Sequence, residues 1–253
     1  MFGNQRRKIK RLDFILAGAQ KSGTTALHYF LNKHPNITMG NQQEMHFFDD
    51  DEKFAGTVDY DLLHRHFPRV ARSTIAGECT PSYLYWKPAA ERICQYNPEI
   101  KLLVLLRNPI DRAFAHWNMQ RFKGREPLDF LEAVKEEKIR IAGAPPIEAR
   151  RFAYVDRGLY AQQLGRFFQF FPREQVKVVK FENFQTHQRE TLDSIFSFLG
   201  LKPLAAVRSR DRNVVPYERA MNWEEKVFLF NNFASDIATL EQLLGWDCSD
   251  WKL

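Results

Sequence analysis

Apolar residues gather in four short runs, at Leu12–Ala17, Thr74–Gly77, Lys101–Leu106 and Val176–Phe181. Runs of this length, set between stretches of helical spacing, read as strands buried on both faces. After the first run, Leu27, Phe30, Leu31 and His34 recur at helical spacing, and Pro35 closes the element. Pro109 stands where a first helical turn begins, with Ala113, Phe114 and Trp117 following on one face. Tyr160, Leu164, Phe167, Phe168 and Phe171 mark another helix, ended by Pro172. Glu190–Leu199 is a further one, stopped by Gly200, and Trp223–Leu244 reads as a long helix stopped by Gly245. Strands alternating with helices predict an α/β fold, a single domain whose central parallel sheet is flanked by helices. Ligands of such sheets bind at the carboxyl ends of the strands. No internal repeat or low-complexity linker divides residues 1–253, and residues 1–11 form a basic arm. Gly143-Ala144-Pro145-Pro146 is the expected flexible loop, too short to separate the chain into domains.

Composition narrows the class. Of 253 residues, 44% are hydrophobic and 27% charged. That balance excludes a disordered chain, a collagen-like repeat and a small disulfide scaffold. Three cysteines, Cys79, Cys94 and Cys248, contain no CxxC pair, so neither a disulfide framework nor a zinc ribbon is encoded. This usage fits a reducing compartment. The early apolar run is too short for a signal peptide or a membrane span, so the expectation is a soluble, cytoplasmic protein. The net charge is +6, with Arg6, Arg7, Lys8, Lys10 and Arg11 crowded at the start. We read that arm as solvated rather than as a contact for nucleic acid. A diffuse positive field also suits an anionic substrate.

The chemistry is concentrated in Phe14-Ile15-Leu16-Ala17-Gly18-Ala19-Gln20-Lys21-Ser22-Gly23-Thr24-Thr25-Ala26-Leu27. Here a strand runs through a glycine-containing loop into a helix, a P-loop-like phosphate-binding unit. Backbone N–H groups and the positive end of the helix dipole converge on one point. Lys21 adds a charge, Ser22, Thr24 and Thr25 add donors, and Gly18 and Gly23 are expected to leave room for a ligand. The residue order is not that of a Walker A loop, because Lys21 precedes Gly23 and no Gly-Lys pair is present. The neighbouring strand, Leu102–Leu106, leads into Arg107 rather than a magnesium-binding aspartate. A nucleotide that needs no metal fits both facts.

Lys21-Ser22-Gly23-Thr24-Thr25 after a strand resembles the 5′-phosphosulfate loop of sulfotransferases that use 3′-phosphoadenosine 5′-phosphosulfate (PAPS). Gln20–Leu27 through His34-Pro35 is similar to the heparan sulfate sulfotransferases and their bacterial relatives. Arg107-Asn108-Pro109-Ile110-Asp111-Arg112-Ala113-Phe114 resembles the family's 3′-phosphate segment. Gly158-Leu159-Tyr160 and Leu243-Leu244-Gly245-Trp246 also look like bacterial members. The resemblance implies that Lys21, Ser22, Gly23, Thr24 and Thr25 hold the phosphosulfate and that Arg107 pairs with the 3′-phosphate. Arg212, in Arg210-Asp211-Arg212-Asn213, is the expected second basic contact. Glu44-Met45-His46-Phe47-Phe48-Asp49 resembles the family's Glu-x-His-Phe-Phe segment, which implies Glu44 as catalytic base. An acceptor hydroxyl must lose its proton as it attacks sulfur, so the chemistry requires such a group. His46 is expected to orient the acceptor or share the proton, and Lys21 to stabilise the leaving phosphate.

The resemblance implies PAPS as co-substrate, PAP as product and an acceptor bearing a hydroxyl or amine, a carbohydrate or a small alcohol. No metal is expected: His46, His64 and His66 lack a fourth ligand at plausible spacing. Two positions depart from the family pattern. Cys79, in Glu78-Cys79-Thr80-Pro81, stands where relatives carry lysine, and Ala115 where they carry a phosphate-binding serine. These departures motivate an alternative, a non-catalytic module that binds PAP or PAPS. A P-loop kinase or NTPase is disfavoured by the residue order. The eukaryotic heparan enzymes carry a membrane anchor, for which this sequence has no room before Leu12, so a bacterial soluble enzyme is expected unless the chain is an excised domain. The sequence leaves oligomeric state open.

Overall fold

A computed structural model describes residues 6–71, 73–205 and 216–253. In chain order its elements begin with β1 (Arg6–Arg7), β2 (Phe14–Gly18), α1 (Thr24–Lys33), β3 (Ile37–Met39), α2 (Asp61–His64) and β4 (Val70–Ala71). There follow β5 (Ile75–Cys79), α3 (Ala89–Tyr96), β6 (Lys101–Leu106), α4 (Pro109–Phe122), α5 (Phe130–Ile141) and α6 (Pro146–Phe152). The last are α7 (Tyr160–Phe170), β7 (Val176–Lys180), α8 (Phe181–Thr186), α9 (Gln188–Phe198) and α10 (Trp223–Leu244). The expected strands are present within two residues of their predicted bounds. The described residues divide into two compact units, one of residues up to Leu106 and from Gly165 to the residues around 205, the other from Arg107 to Leu164 and through the C-terminal segment.

The first unit holds a five-stranded sheet in the order β3-β5-β2-β6-β7, parallel throughout. Every residue of β2 is buried, and so are Leu102–Leu106 of β6, because helices cover a parallel sheet on both faces. On one face Phe14, Leu16, Leu103, Leu105 and Val179 pack with Leu27, Phe30 and Leu31 of α1 and with Leu192, Ile195 and Phe196 of α9. Gly77 sits under the Phe14 ring, whose carbons would lie 2.2 Å from an added Cβ. That close approach explains a glycine inside a strand. The edge strand β3 was not among the expected four, since three residues carry too little pattern. β1 and β4 form a separate antiparallel pair.

In the second unit Pro109 opens α4 and the Asn108 side chain accepts the Ile110 N–H at 3.0 Å. The expected single apolar face is an understatement: Arg112 through Asn118 are all buried. Their polar members find partners inside the unit; Arg112 donates to the Tyr154 carbonyl, for example. Buried Glu126 accepts from Arg140 at 2.7 Å and from the Tyr154 hydroxyl at 2.6 Å. Glu137 accepts the N–H groups of Val155 and Asp156 at 2.6 and 2.8 Å, which fixes the chain leading to α7. A capping box between Asn222 and Glu225 starts α10, and Gly245, at φ 66°, ends it. No helix among the described residues is long and apolar enough to cross a membrane.

Candidate active site

The parallel order places the exits of β2, β3, β5 and β7 on one edge of the sheet. The loop after β2 turns through Lys21 (φ 69°) and Gly23 (φ 86°) into α1. Gly23 caps the helix by its backbone, and its carbonyl accepts from Ala26 and Leu27 at 3.0 and 3.1 Å. The N–H groups of Gly23, Thr24 and Thr25 have no acceptor among the described residues, and neither does the Ser22 hydroxyl, which is fully buried. Unsatisfied donors at a helix start form a site for an oxyanion, so these residues fit the phosphosulfate of PAPS. Lys21 and Thr25 are half-buried, while Thr24 is buried.

The two glycines do a different job from the one expected. A Cβ on Gly18 would lie 2.7 Å from the Cβ of Leu84, and one on Gly23 2.5 Å from the Phe181 ring. Their side of the backbone is therefore filled by protein. Glycine lets the exits of β5 and β7 close on the loop, rather than leaving room for a ligand.

The second cluster follows β3. The Glu44 N–H donates to the Cys79 carbonyl at 3.0 Å, which ties this loop to the end of β5. Glu44 and His46 both adopt left-handed backbone, φ 58° and 49°, a conformation that costs of order 1–3 kcal/mol for residues with a Cβ. The turn brings Glu44 Oε2 to 3.6 Å from His46 Nε2, an ion-pair distance rather than a hydrogen bond. On its other side His46 Nδ1 meets Asp49 Oδ2 at 2.9 Å. The Ser82 hydroxyl donates to the same Asp49 oxygen. The hydrogen bond to Asp49, with the Glu44 carboxylate second, raises the imidazole to a pKa of about 9. Near neutral pH His46 is thus a cation between two carboxylates.

Beneath this turn lie Glu78, Thr80 and Tyr83, all buried. Burial pushes the Glu78 carboxyl up to about 7. Sequence reasoning places Asp49 only at the end of its motif and assigns no role to Ser82, Thr80 or Tyr83. A usable signal was the polar run Thr80-Pro81-Ser82-Tyr83 directly after a buried strand, where hydroxyls meet the loop of the neighbouring strand.

Arg107 is the first residue after β6 and is half-buried, and its carbonyl accepts the Tyr160 hydroxyl at 3.0 Å. Tyr160 begins α7, whose first N–H groups are held by Asp236, at 3.0 Å for Ala161. Arg212 lies outside the described residues. Cys79 is buried in the core against Leu16, and burial raises its thiol well above the usual range. Ala115 is buried in α4. The other two histidines of interest have separate partners: His64 Nε2 meets the Tyr96 hydroxyl at 2.8 Å and His66 Nδ1 meets Asn41 at 3.2 Å.

The sulfotransferase domain profile matches residues 11–215. A solved sulfotransferase from Alicyclobacillus acidocaldarius is 32% identical, with a TM-score of 0.80 over 96% of this chain and 99% of that one. Heparan sulfate glucosamine 3-O-sulfotransferase 5 of Mus musculus is 32% identical over 189 residues, which are 75% of this chain and 53% of that protein. The bifunctional heparan sulfate N-deacetylase/N-sulfotransferase 2 of Homo sapiens is 27% identical over 197 residues, 75% of this chain and 22% of that protein. The chain thus spans about half the length, or less, of these curated relatives.

Proposed function

Because the chain belongs to the PAPS-dependent sulfotransferase family, we propose that it moves a sulfuryl group from PAPS to a hydroxyl or amine of a carbohydrate acceptor. The observation that carries this reading is the placement of a carboxylate, Glu44, beside an imidazolium on the sheet edge that also holds the phosphate loop. Both units are read as belonging to one sulfotransferase domain, since the matched residues run through both. The amides of Gly23, Thr24 and Thr25, with Ser22 and Lys21, hold the 5′-phosphosulfate. Arg107 is assigned to the 3′-phosphate, where its planar fork suits the geometry. Arg212 keeps its assignment as a second basic contact on the family resemblance alone.

PAPS supplies an activated sulfuryl group whose bond to the 5′-phosphate breaks with the electron pair left on phosphate. Lys21 and the amides at the start of α1 stabilise that developing charge. Glu44 takes the proton from the acceptor as its oxygen or nitrogen bonds to sulfur. His46, already protonated, does not serve as the base. It lies beside the Glu44 carboxylate and orients it, and Asp49 fixes the ring. PAP leaves as product. Relatives named for O-sulfation and for N-sulfation leave either acceptor atom open, and their names favour an amino sugar. A bacterial source and a cytoplasmic location accompany this reading, from cysteine usage and the Alicyclobacillus neighbour.

The test is a thermal shift with PAP, beside ATP plus magnesium, followed by transfer from labelled PAPS to a glucosamine oligosaccharide and to simple alcohols. Ligand at 100 times its Kd stabilises by about 2.7 kcal/mol, a midpoint rise of roughly 5–10 °C at this size. PAP binding with no transfer to any acceptor identifies a non-catalytic module, the reading that buried Cys79 favours. A magnesium-dependent ATP response without one to PAP overturns the donor assignment.

A further inference from the structure

The proposed chemistry gives no part to Gly158-Leu159-Tyr160, yet buried acids hold the chain on both sides of it. Upstream, Glu137 of α5 accepts the N–H groups of Val155 and Asp156 at 2.6 and 2.8 Å. Downstream, Asp236 of α10 accepts those of Ala161 and Gln162, at 3.0 Å on Oδ2 and 3.4 Å on Oδ1. Asp236 is 8% exposed and stands in the apolar seam of α10, with Leu229, Phe233, Ile237 and Leu240. A carboxylate in such a seam costs free energy unless hydrogen bonds compensate it. The first turn of α7 carries no acid of its own, so this one completes it from another helix. The motif in turn holds the start of α4. The Tyr160 hydroxyl donates to the Arg107 carbonyl at 3.0 Å. A Cβ on Gly158 would lie 2.6 Å from the Phe233 ring and 3.3 Å from Pro109 Cβ, so a side chain there would displace the ring. Phe233 and Asp236, neighbours on one face of α10, thus set Gly158 and the first turn of α7, which contact Pro109 and Arg107.

We propose that Asp236 is a positioning residue for the 3′-phosphate of the donor, acting through Tyr160 on Arg107. The inference rests on the reading of Arg107 as the 3′-phosphate contact.

Both oxygens of Asp236 are taken by backbone donors, which fixes where α7 begins. Tyr160, the first residue of that turn, is 1% exposed and meets the Trp251 ring edge-on. Its ring is packed, so its hydroxyl moves with the turn rather than swinging free. The carbonyl it reaches belongs to the residue that leaves β6. A guanidinium pairs with a phosphate in a fixed planar geometry, so a loosened backbone at Arg107 weakens that pairing. Asp236→Ala would leave the Ala161 and Gln162 N–H groups without this acceptor and let Tyr160 shift away from Arg107.

The experiment measures, by calorimetry on the whole chain, Kd for PAP and for adenosine 5′-phosphate, which lacks the 3′-phosphate. The ratio of the two isolates what the 3′-phosphate contributes. A merely structural acid would weaken both nucleotides alike and leave the ratio unchanged. Wild type is compared with Arg107→Ala, Tyr160→Phe, Asp236→Ala and the double variant Tyr160→Phe/Asp236→Ala. Arg107→Ala should lower the preference for PAP by about tenfold or more, as loss of a hydrogen bond between charged groups does. Tyr160→Phe and Asp236→Ala should each lower it about 2–10-fold. In the double variant these two losses should not multiply, because both act on one contact. An unchanged ratio in Asp236→Ala, beside one lowered by Arg107→Ala, overturns the positioning role, and so do losses that multiply. A ratio that Arg107→Ala leaves unchanged removes the reading of Arg107, and the proposal falls with it. If Asp236→Ala does not fold, Asp236→Asn takes its place in the same comparison. Its single oxygen cannot serve two N–H groups, so the preference should fall about twofold, and an unchanged ratio again overturns the proposal.

Discussion

The loop after β2 and the loop after β3 reach a rigid geometry by opposite means. Residues 19–23 are shaped by backbone: a left-handed glycine, amides at a helix start, and glycine faces filled by Leu84 and Phe181. Residues 44–49 are shaped by side chains, with Asp49, Ser82, Thr80 and Tyr83 holding a turn whose own backbone is strained. The first suits an anion that must be held in the same way before and after reaction. The second suits a group whose charge changes during it, because the charged side chains around it shift the affinity for its proton. The exit of β5 serves both. Leu84 N–H donates to the Ala17 carbonyl at 2.9 Å and closes on Gly18, while Thr80 to Tyr83 reach the base loop.

If the two loops divide the work in this way, substitutions in them should fail differently. Glu44→Gln should lower kcat by about 10²–10⁴-fold and leave the PAP thermal shift nearly intact. Loss of PAP binding along with turnover would remove Glu44 from the base role and erase the division. Gly23→Ala should do the reverse. It adds left-handed strain of about 1–2 kcal/mol and a contact 2.5 Å from the Phe181 ring, the latter of about 1–3 kcal/mol. The expected result is a clearly lowered melting midpoint and a PAP shift reduced or lost. A variant that melts as wild type and binds PAP normally would show that the loop does not depend on this packing.

The same contrast explains what was legible in the sequence. The phosphate loop is local: strand, glycines, lysine and hydroxyls follow one another from Phe14 to Leu27, so motif and geometry coincide. Glu44 and His46 are legible as a pair, and the structure brings them to 3.6 Å. Their support left only a faint trace, the polar run after β5, because Thr80, Ser82 and Tyr83 are remote in sequence and reach the turn only through the pairing of β3 with β5. Buried strands announced themselves by runs such as Leu102–Leu106, and α10 by its length and its stop at Gly245. Three-residue β3 carried no period to detect. In α4 the apolar positions suggested one buried face, but Arg112, His116 and Asn118 are buried too, a fact that only the contacts of the second unit decide.

A smaller effect tests the nucleotide side at Arg107. The Tyr160 hydroxyl donates to its carbonyl, and Tyr160→Phe removes that bond without changing shape. A neutral hydrogen bond contributes about 0.5–1.5 kcal/mol, so KM for PAPS should rise about 2–10-fold with kcat nearly unchanged. A fall in kcat at constant KM would place this contact with the chemistry instead of with binding.

The smallest expected effect concerns stability and belongs to the base loop alone. Folding raises the His46 imidazole from 6.5 to about 9 through Asp49 and then Glu44. A raised folded pKa means that the native state binds the proton more tightly, so the stabilisation is fully present below about pH 6.5 and is lost as pH rises through about 9. Half of the His46 side chain is exposed, and solvent screens the pair, so the effect should be modest. Melting midpoints of wild type and His46→Gln, measured from about pH 6 to about pH 10, should differ most at the acid end and converge toward the alkaline end. Glu78 also titrates with folding, but its window runs from its ordinary 4.5 up to about 7, and it is common to both proteins, so it cancels to first order in the difference. A gap that does not narrow through about pH 9 would mean that His46 is held by packing. The base loop would then be less electrostatic, and closer in kind to the phosphate loop, than its geometry indicates.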